Sequence, residues 1–270
     1  MQRLGFLDWG IGGVGIFRAL RRHRPDVLVL YWSDTGAPPY GRLAADALAA
    51  RVEQVVRAMA KQGVTHVVVA CNAASTILSR LSNPAVPVLG VIEPAIELVR
   101  QHGGSAVGVV GGARTVRSGL YRRGLATGRR RLVQRIAQPL SAHIEAGRTG
   151  SVAFARDLRR IVAPLAKVDA ILLACTHYPS ALVAFQAVAP RVTMLDPAEA
   201  VVEAALARWS LPEGRGDRFM TTGSALEMRR AALCAWGVDL GPCDEVPFDA
   251  AQVSPQRAAR VNRRHGQTGR

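Results

Sequence analysis

The chain has 270 residues, of which 49% are hydrophobic, and a net charge of +15. That length suits one large α/β domain or two smaller ones, and the even spread of charge excludes a long disordered tract. No stretch approaches the roughly 20 apolar residues of a membrane span, and Asp8 with the glycines after it breaks up the apolar run near the N-terminus, so no signal peptide is read there and a cytoplasmic location is expected.

In chain order, LGFLDW, VLVLYWS, HVVVAC, VPVLGVI, AVGVVGG, RLVQRIA, AILLAC, VTMLD and RFMTTG read as strands. Between them, GVGIFRALRRHR, LAADALAARVEQVVRAMAKQG and SVAFARDLRRIVAPLAK carry apolar residues at helical spacing. The alternation predicts an α/β fold of mainly parallel sheets with helices on both faces. AILLACTHYP repeats the plan of HVVVACNAAS: an apolar strand, alanine, cysteine, a polar residue and a helix start. Two pseudo-symmetric Rossmann-like lobes would explain the echo. Residues 1–92 with 209–248 would form the first lobe, residues 93–208 the second, and residues 249–270 a basic flexible tail.

The charge is almost wholly arginine, since Lys61 and Lys167 are the only lysines. Its densest run, residues 114–135, holds no acidic residue and one tyrosine, a poor base-stacking surface. A solvated face is the expectation there, with nucleic acid as the alternative. The four cysteines, Cys71, Cys175, Cys234 and Cys243, show no CxxC spacing, which leaves a small core residue or a reactive thiol as the reading of each.

GIGGVG, residues 10–15, follows a strand and opens a helix, and Asp34 ends the next strand. Together they mimic a dinucleotide fingerprint, so a nicotinamide-dependent oxidoreductase is one reading. Against it, Asp8 ends the strand before the loop, where a carboxylate would repel a pyrophosphate. The paired cysteines suggest different chemistry. Moving a proton off and onto the α-carbon of an amino acid without a cofactor needs a base on one face and an acid on the other. Two facing thiols would serve and would exchange roles in reverse. His177, inside CTHYP, is then a functional histidine rather than a packing one.

These segments carry a resemblance. FLDWGIGG is similar to the DSGxGG opening of the glutamate racemases of the aspartate/glutamate racemase family, and YWSDTGAPPYG to their GDTxxxPYG loop. VVVACNAAS resembles their CNTAS segment, GVIEPA their VIEPA and LLACTHYP their GCTHYP, with TVRSGLY and LDPAEAV also in order. The resemblance implies a cofactor-independent racemase with its active site in the cleft between the lobes, supplying D-glutamate for peptidoglycan, commonly as a homodimer. It implies Cys71 and Cys175 as the catalytic acid/base pair, the first taking the proton from the D-enantiomer and the second from the L-enantiomer, with Asp8 and His177 assisting. The substrate, a small anionic amino acid, would be lined by Asp8, Trp9, Tyr40, Gly41, Asn72, Ala73, Thr176 and His177. No metal is implied. Trp9 and Ala73 stand where the family has serine and threonine. A less polar lining leaves aspartate or a substituted hydantoin as alternative substrates, and a non-catalytic nucleic-acid-binding relative as a further reading.

Overall fold

The computed structural model describes residues 2–126, 128, 130–214 and 216–247; the tail expected over residues 249–270 lies outside them. The strands are β1 Arg3–Asp8, β2 Val29–Ser33, β3 Val64–Val69, β4 Val88–Gly90, β5 Ala106–Gly111, β6 Arg131–Ile136, β7 Ala170–Ala174, β8 Thr193–Leu195, β9 Arg218–Thr221 and β10 Cys243–Glu245. They form two sheets, ordered β10-β9-β2-β1-β3-β4 and β6-β5-β7-β8, in which every paired strand is parallel. All nine segments read as strands become strands. The tenth, Cys-Asp-Glu, is a short edge strand without the β-branched or alternating apolar pattern that would have marked it.

The helices form where apolar residues recur every three or four positions. Helix Ala45–Lys61 buries Leu48, Val52, Val55, Val56 and Met59 along one stripe, and it also buries Arg51, whose charge is met by Asp34. Ser151 and Ser224 cap the helices Val152–Val162 and Ala225–Trp236 by accepting from Phe154 N–H and Glu227 N–H. The short helix Asn72–Ser75, by contrast, has no side-chain cap. Cys71 itself holds the cap position, and the Ser75 hydroxyl instead ties Val69 C=O to Val91 N–H.

Three apolar clusters make the core. One lies against the far face of the first sheet (Leu7, Leu30, Val52, Val69) and one against the far face of the second (Val110, Leu158, Leu173, Phe185). The third is shared. It joins Phe6, Tyr31 and Val68 of the first sheet to Val107, Val109 and Leu172 of the second through Val201, Val202 and Ala205 of helix Ala198–Arg208. Burial of this seam fixes how the two sheets face each other.

Each sheet has a switch point in its strand order, between β1 and β3 in the first and between β5 and β7 in the second. Open parallel sheets bind ligands at the carboxyl edge of such a switch point. The two expected thiols sit there, Cys71 just past β3 and Cys175 just past β7.

Candidate active site

Asp8 ends β1 and is fully buried. Its carboxylate accepts the backbone N–H groups of Trp9 and Gly13, each at 2.7 Å, and the Thr176 hydroxyl at 3.2 Å. The glycines of the loop are explained by what crowds it. A Cβ on Gly12 would stand 2.5 Å from His177 Nδ1 and 2.6 Å from Thr176 Oγ1, and one on Gly10 would stand 2.5 Å from Glu145 Oε2. The loop is shaped for protein side chains from the second sheet, and Asp8 occupies the place a phosphate would need. Asp34 does not wait for a ribose either: it is buried, gripped by Nε and Nη2 of Arg51 and by the hydroxyls of Tyr40 (2.7 Å) and Thr222 (2.9 Å). The glycine motif is therefore no dinucleotide site.

A cleft of about 800 Å³ opens between the sheets. All the expected residues line it: Asp8, Trp9, Tyr40, Gly41, Cys71, Asn72, Ala73, Cys175, Thr176 and His177. Cys71 is buried and Cys175 half-buried. His177 Nδ1 lies 3.9 Å from Cys175 Sγ, and its Nε2 lies 2.6 Å from Glu145 Oε2. Glu145 ends helix Gln138–Glu145, and its carboxylate also accepts Ile11 N–H at 3.2 Å. Each thiol thus has its own titratable neighbour, Asp8 for Cys71 and His177 for Cys175.

The electrostatics of the two sides differ. Burial pushes the Asp8 carboxyl up to about 6, against the opposing pull of His177, Cys71 and two backbone N–H groups. Burial, with the nearby Asp8 charge, also pushes the Cys71 thiol well up. One negative charge, shared between Asp8 and Cys71, is all that side holds easily. On the other side, burial pulls the His177 imidazole down, but hydrogen bonds to Cys175 and Glu145 outweigh it and hold His177 well above its ordinary range. Its ring lies between a sulfur and a carboxylate, both of which favour its protonated form.

Tyr40 turns its hydroxyl to Asp34, which leaves its backbone, with that of Gly41, for a ligand. One expectation changes in detail. Arg114, at the head of the arginine-rich run, is no part of a solvated face: it is half-buried, lines the cleft and donates to the carbonyls of Tyr40 and Leu43. Trp9 lines the cleft with its indole fixed by N–H donation to Ala37 C=O at 2.9 Å.

Glu145 has no motif around it and was not read from the sequence. One signal was present: it is the only acidic residue between Glu97 and Asp157. Glu145→Gln should let His177 lose its proton at lower pH, because the carboxylate raises His177 and the amide cannot. A ¹⁵N NMR titration of the histidine ring checks this; an unchanged titration would refute the role.

Comparisons with known proteins match this geometry. The model of the Asp/Glu/Hydantoin racemase family matches residues 15–205. A glutamate racemase of Thermus thermophilus is 35% identical over 239 residues, covering 85% of this chain and 90% of the relative. One of Desulforudis audaxviator is 31% identical over 210 residues, covering 75% and 77%. The crystal structure of glutamate racemase from Thermus thermophilus in complex with β-chloro-D-alanine superposes with a TM-score of 0.80 at 30% identity, over 92% of this chain and 97% of that one. With the fold, the switch-point thiols and these likenesses in agreement, the chain belongs to the Asp/Glu/Hydantoin racemase family, a family of isomerases.

Proposed function

We propose that the protein interconverts L- and D-glutamate by a two-thiol acid/base mechanism. The observation that carries the reading is the pair of cysteines at matched switch points of one cleft, each beside its own titratable partner. In the direction from L to D, the Cys175 thiolate takes the α-proton and the Cys71 thiol returns one to the opposite face. The charge left on Cys71 is resolved by proton exchange with Asp8 or solvent. In the reverse direction Cys71 is the base and Cys175 the acid. His177, 3.9 Å from the Cys175 sulfur and held above its ordinary range, stabilises the thiolate form on that side when protonated. Between the two transfers the substrate is a carbanion, and donors set around its carboxylate spread that charge. Arg42, Arg114 and Arg230 also line the cleft and favour an anionic substrate. The product would serve peptidoglycan synthesis in the cytoplasm, and the working form would be a homodimer.

Glutamate is favoured because the relatives at 31–36% identity bear the name glutamate racemase. Trp9 and Ala73 keep a smaller or less polar substrate in view, since neither offers a hydroxyl to the cleft. The test is incubation with L-glutamate in deuterated water, alongside a panel of amino acids that includes aspartate. Racemisation with α-deuterium uptake is expected for glutamate, and neither effect would sink the reading. Trp9→Ser should improve kcat/KM for glutamate relative to aspartate. A preference for aspartate in the wild type would transfer the mechanism to that substrate.

A further inference from the structure

Residues 114–121 bring two side chains from the second lobe to groups that the first lobe presents to the cleft. Arg114 stands on the short helix Ala113–Arg117, beyond the carboxyl end of β5. Its guanidinium donates to Tyr40 C=O at 3.2 Å and to Leu43 C=O. Those carbonyls bracket the single 3₁₀ turn Tyr40–Arg42, which has only one inner tie, Arg42 N–H to Pro39 C=O at 2.7 Å, among its backbone contacts with the preceding loop. A turn this short has little stability of its own, so a cross-cleft tie decides where Gly41 sits. Gly41 faces the second lobe: a Cβ there would meet Gln138 Oε1 at 3.6 Å.

Tyr121, on helix Leu120–Leu125, is fully buried, and its hydroxyl donates to Asn72 Oδ1 at 2.7 Å. That bond decides which way the Asn72 amide turns, because its oxygen is now committed. The amide nitrogen is buried without a partner among the described residues, and Asn72 lines the cleft. A buried N–H left unpaired is costly, which marks Nδ2 as a donor kept for a ligand acceptor.

We propose that Arg114 and Tyr121 are positioning residues: Arg114 holds the Gly41 turn and Tyr121 orients the Asn72 amide, so that both first-lobe donors meet the carboxylate oxygens of an anionic amino acid. Neither needs to touch the substrate. The docked second lobe thus completes a binding surface that the first lobe cannot set alone. The proposal rests on the racemase reading for the nature of the substrate.

The test is steady-state racemisation of glutamate, with glutamate binding measured by calorimetry on the same variants. Tyr121→Phe removes one hydroxyl without changing the shape of the core. It should raise KM and Kd by about tenfold, the scale of one hydrogen bond in a closed site, and change kcat far less. Adding Tyr121→Phe to Asn72→Ala should cost nothing more, because both act through one donor. Arg114→Ala should raise KM and Kd by a similar factor, Arg114→Lys by less, and guanidinium ion should restore part of the loss in Arg114→Ala. Wild-type KM and Kd in Tyr121→Phe or Arg114→Ala, or additive losses in the double variant, would overturn the proposal. So would a lowered thermal midpoint with KM and Kd untouched, the mark of a purely structural role. If the wild type binds glutamate without exchanging its α-hydrogen, the racemase reading fails while the order of Kd values still decides the positioning roles. A wild type that binds neither glutamate nor aspartate refutes both.

Discussion

Cys71→Ser should lower kcat for racemisation in both directions by about 10²–10⁴-fold, the usual worth of a positioned acid or base, and Cys175→Ser should do the same. A serine hydroxyl fits either position but gives up its proton far less readily than a thiol. The two variants should differ in what they retain. With Cys71 gone, the Cys175 side can still draw a proton from L-glutamate and return deuterium to the same face, so slow α-exchange without inversion is expected from the L-enantiomer only. Cys175→Ser should show the mirror pattern, exchange from D-glutamate only. NMR of the α-proton in deuterated water reads both outcomes. Equal exchange from both enantiomers in a single variant, or any exchange in the double variant, would refute the assignment of one thiol to each face.

Asp8→Asn should inactivate the enzyme and stabilise it at the same time. The folded protein holds the Asp8 proton up to about pH 6, whereas an ordinary aspartate loses it near 3.8. Between those values the folded state binds more protons than the unfolded state, so this group's contribution to stability is full below about pH 4 and is lost as pH rises through 6. Moving a carboxyl that far corresponds to about 3 kcal/mol of opposition to folding at pH 8. An asparagine has no charge to bury. Its amide nitrogen meets two backbone N–H donors badly, so the expected gain is smaller, about 1–2 kcal/mol at pH 8, falling to nothing or reversing near pH 4. Urea denaturation at the two pH values measures this. The companion result is a wild-type kcat/KM that declines below about pH 6, as the carboxylate beside Cys71 is protonated. A gain over the wild type no larger at pH 8 than at pH 4 would show that the charge on Asp8 does not oppose folding.

How far the sequence could be read depended on whether a feature was local. The strands β1 to β9 announce themselves through apolar runs of the right length, and the cysteines stand out because one segment echoes the other at the same point of its strand. Glu145 carries no such mark. What makes it part of the site is a contact with His177 across 32 residues of chain, visible only once helix Gln138–Glu145 is laid beside the turn after β7. Arg114 was hidden differently. Its run of basic residues suggested a single solvated surface, yet the first member of the run turns inward because the carbonyls of Tyr40 and Leu43 stand opposite it. Asp34 stood at the spacing expected of a ribose-binding acid, but no spacing rule could reveal that Arg51, on the stripe helix Ala45–Lys61, would neutralise it in the core.

The order β10-β9-β2-β1 also sets a timetable for synthesis on the ribosome. Strand β2 leaves the exit tunnel early, but the neighbour that covers its outer edge, β9, is encoded only from Arg218 onward. Until then the nascent chain carries a largely apolar strand, Val29–Ser33, buried along its whole length in the finished fold, with one flank of its backbone N–H and C=O groups unpaired. At about 5–20 residues per second, that edge waits of the order of ten seconds or more for its partner. The second lobe, whose four strands are contiguous in the chain, can assemble during that wait. The open edge thus persists while most of the protein's residues are being made, and a chaperone that shields open strand edges would act in that interval.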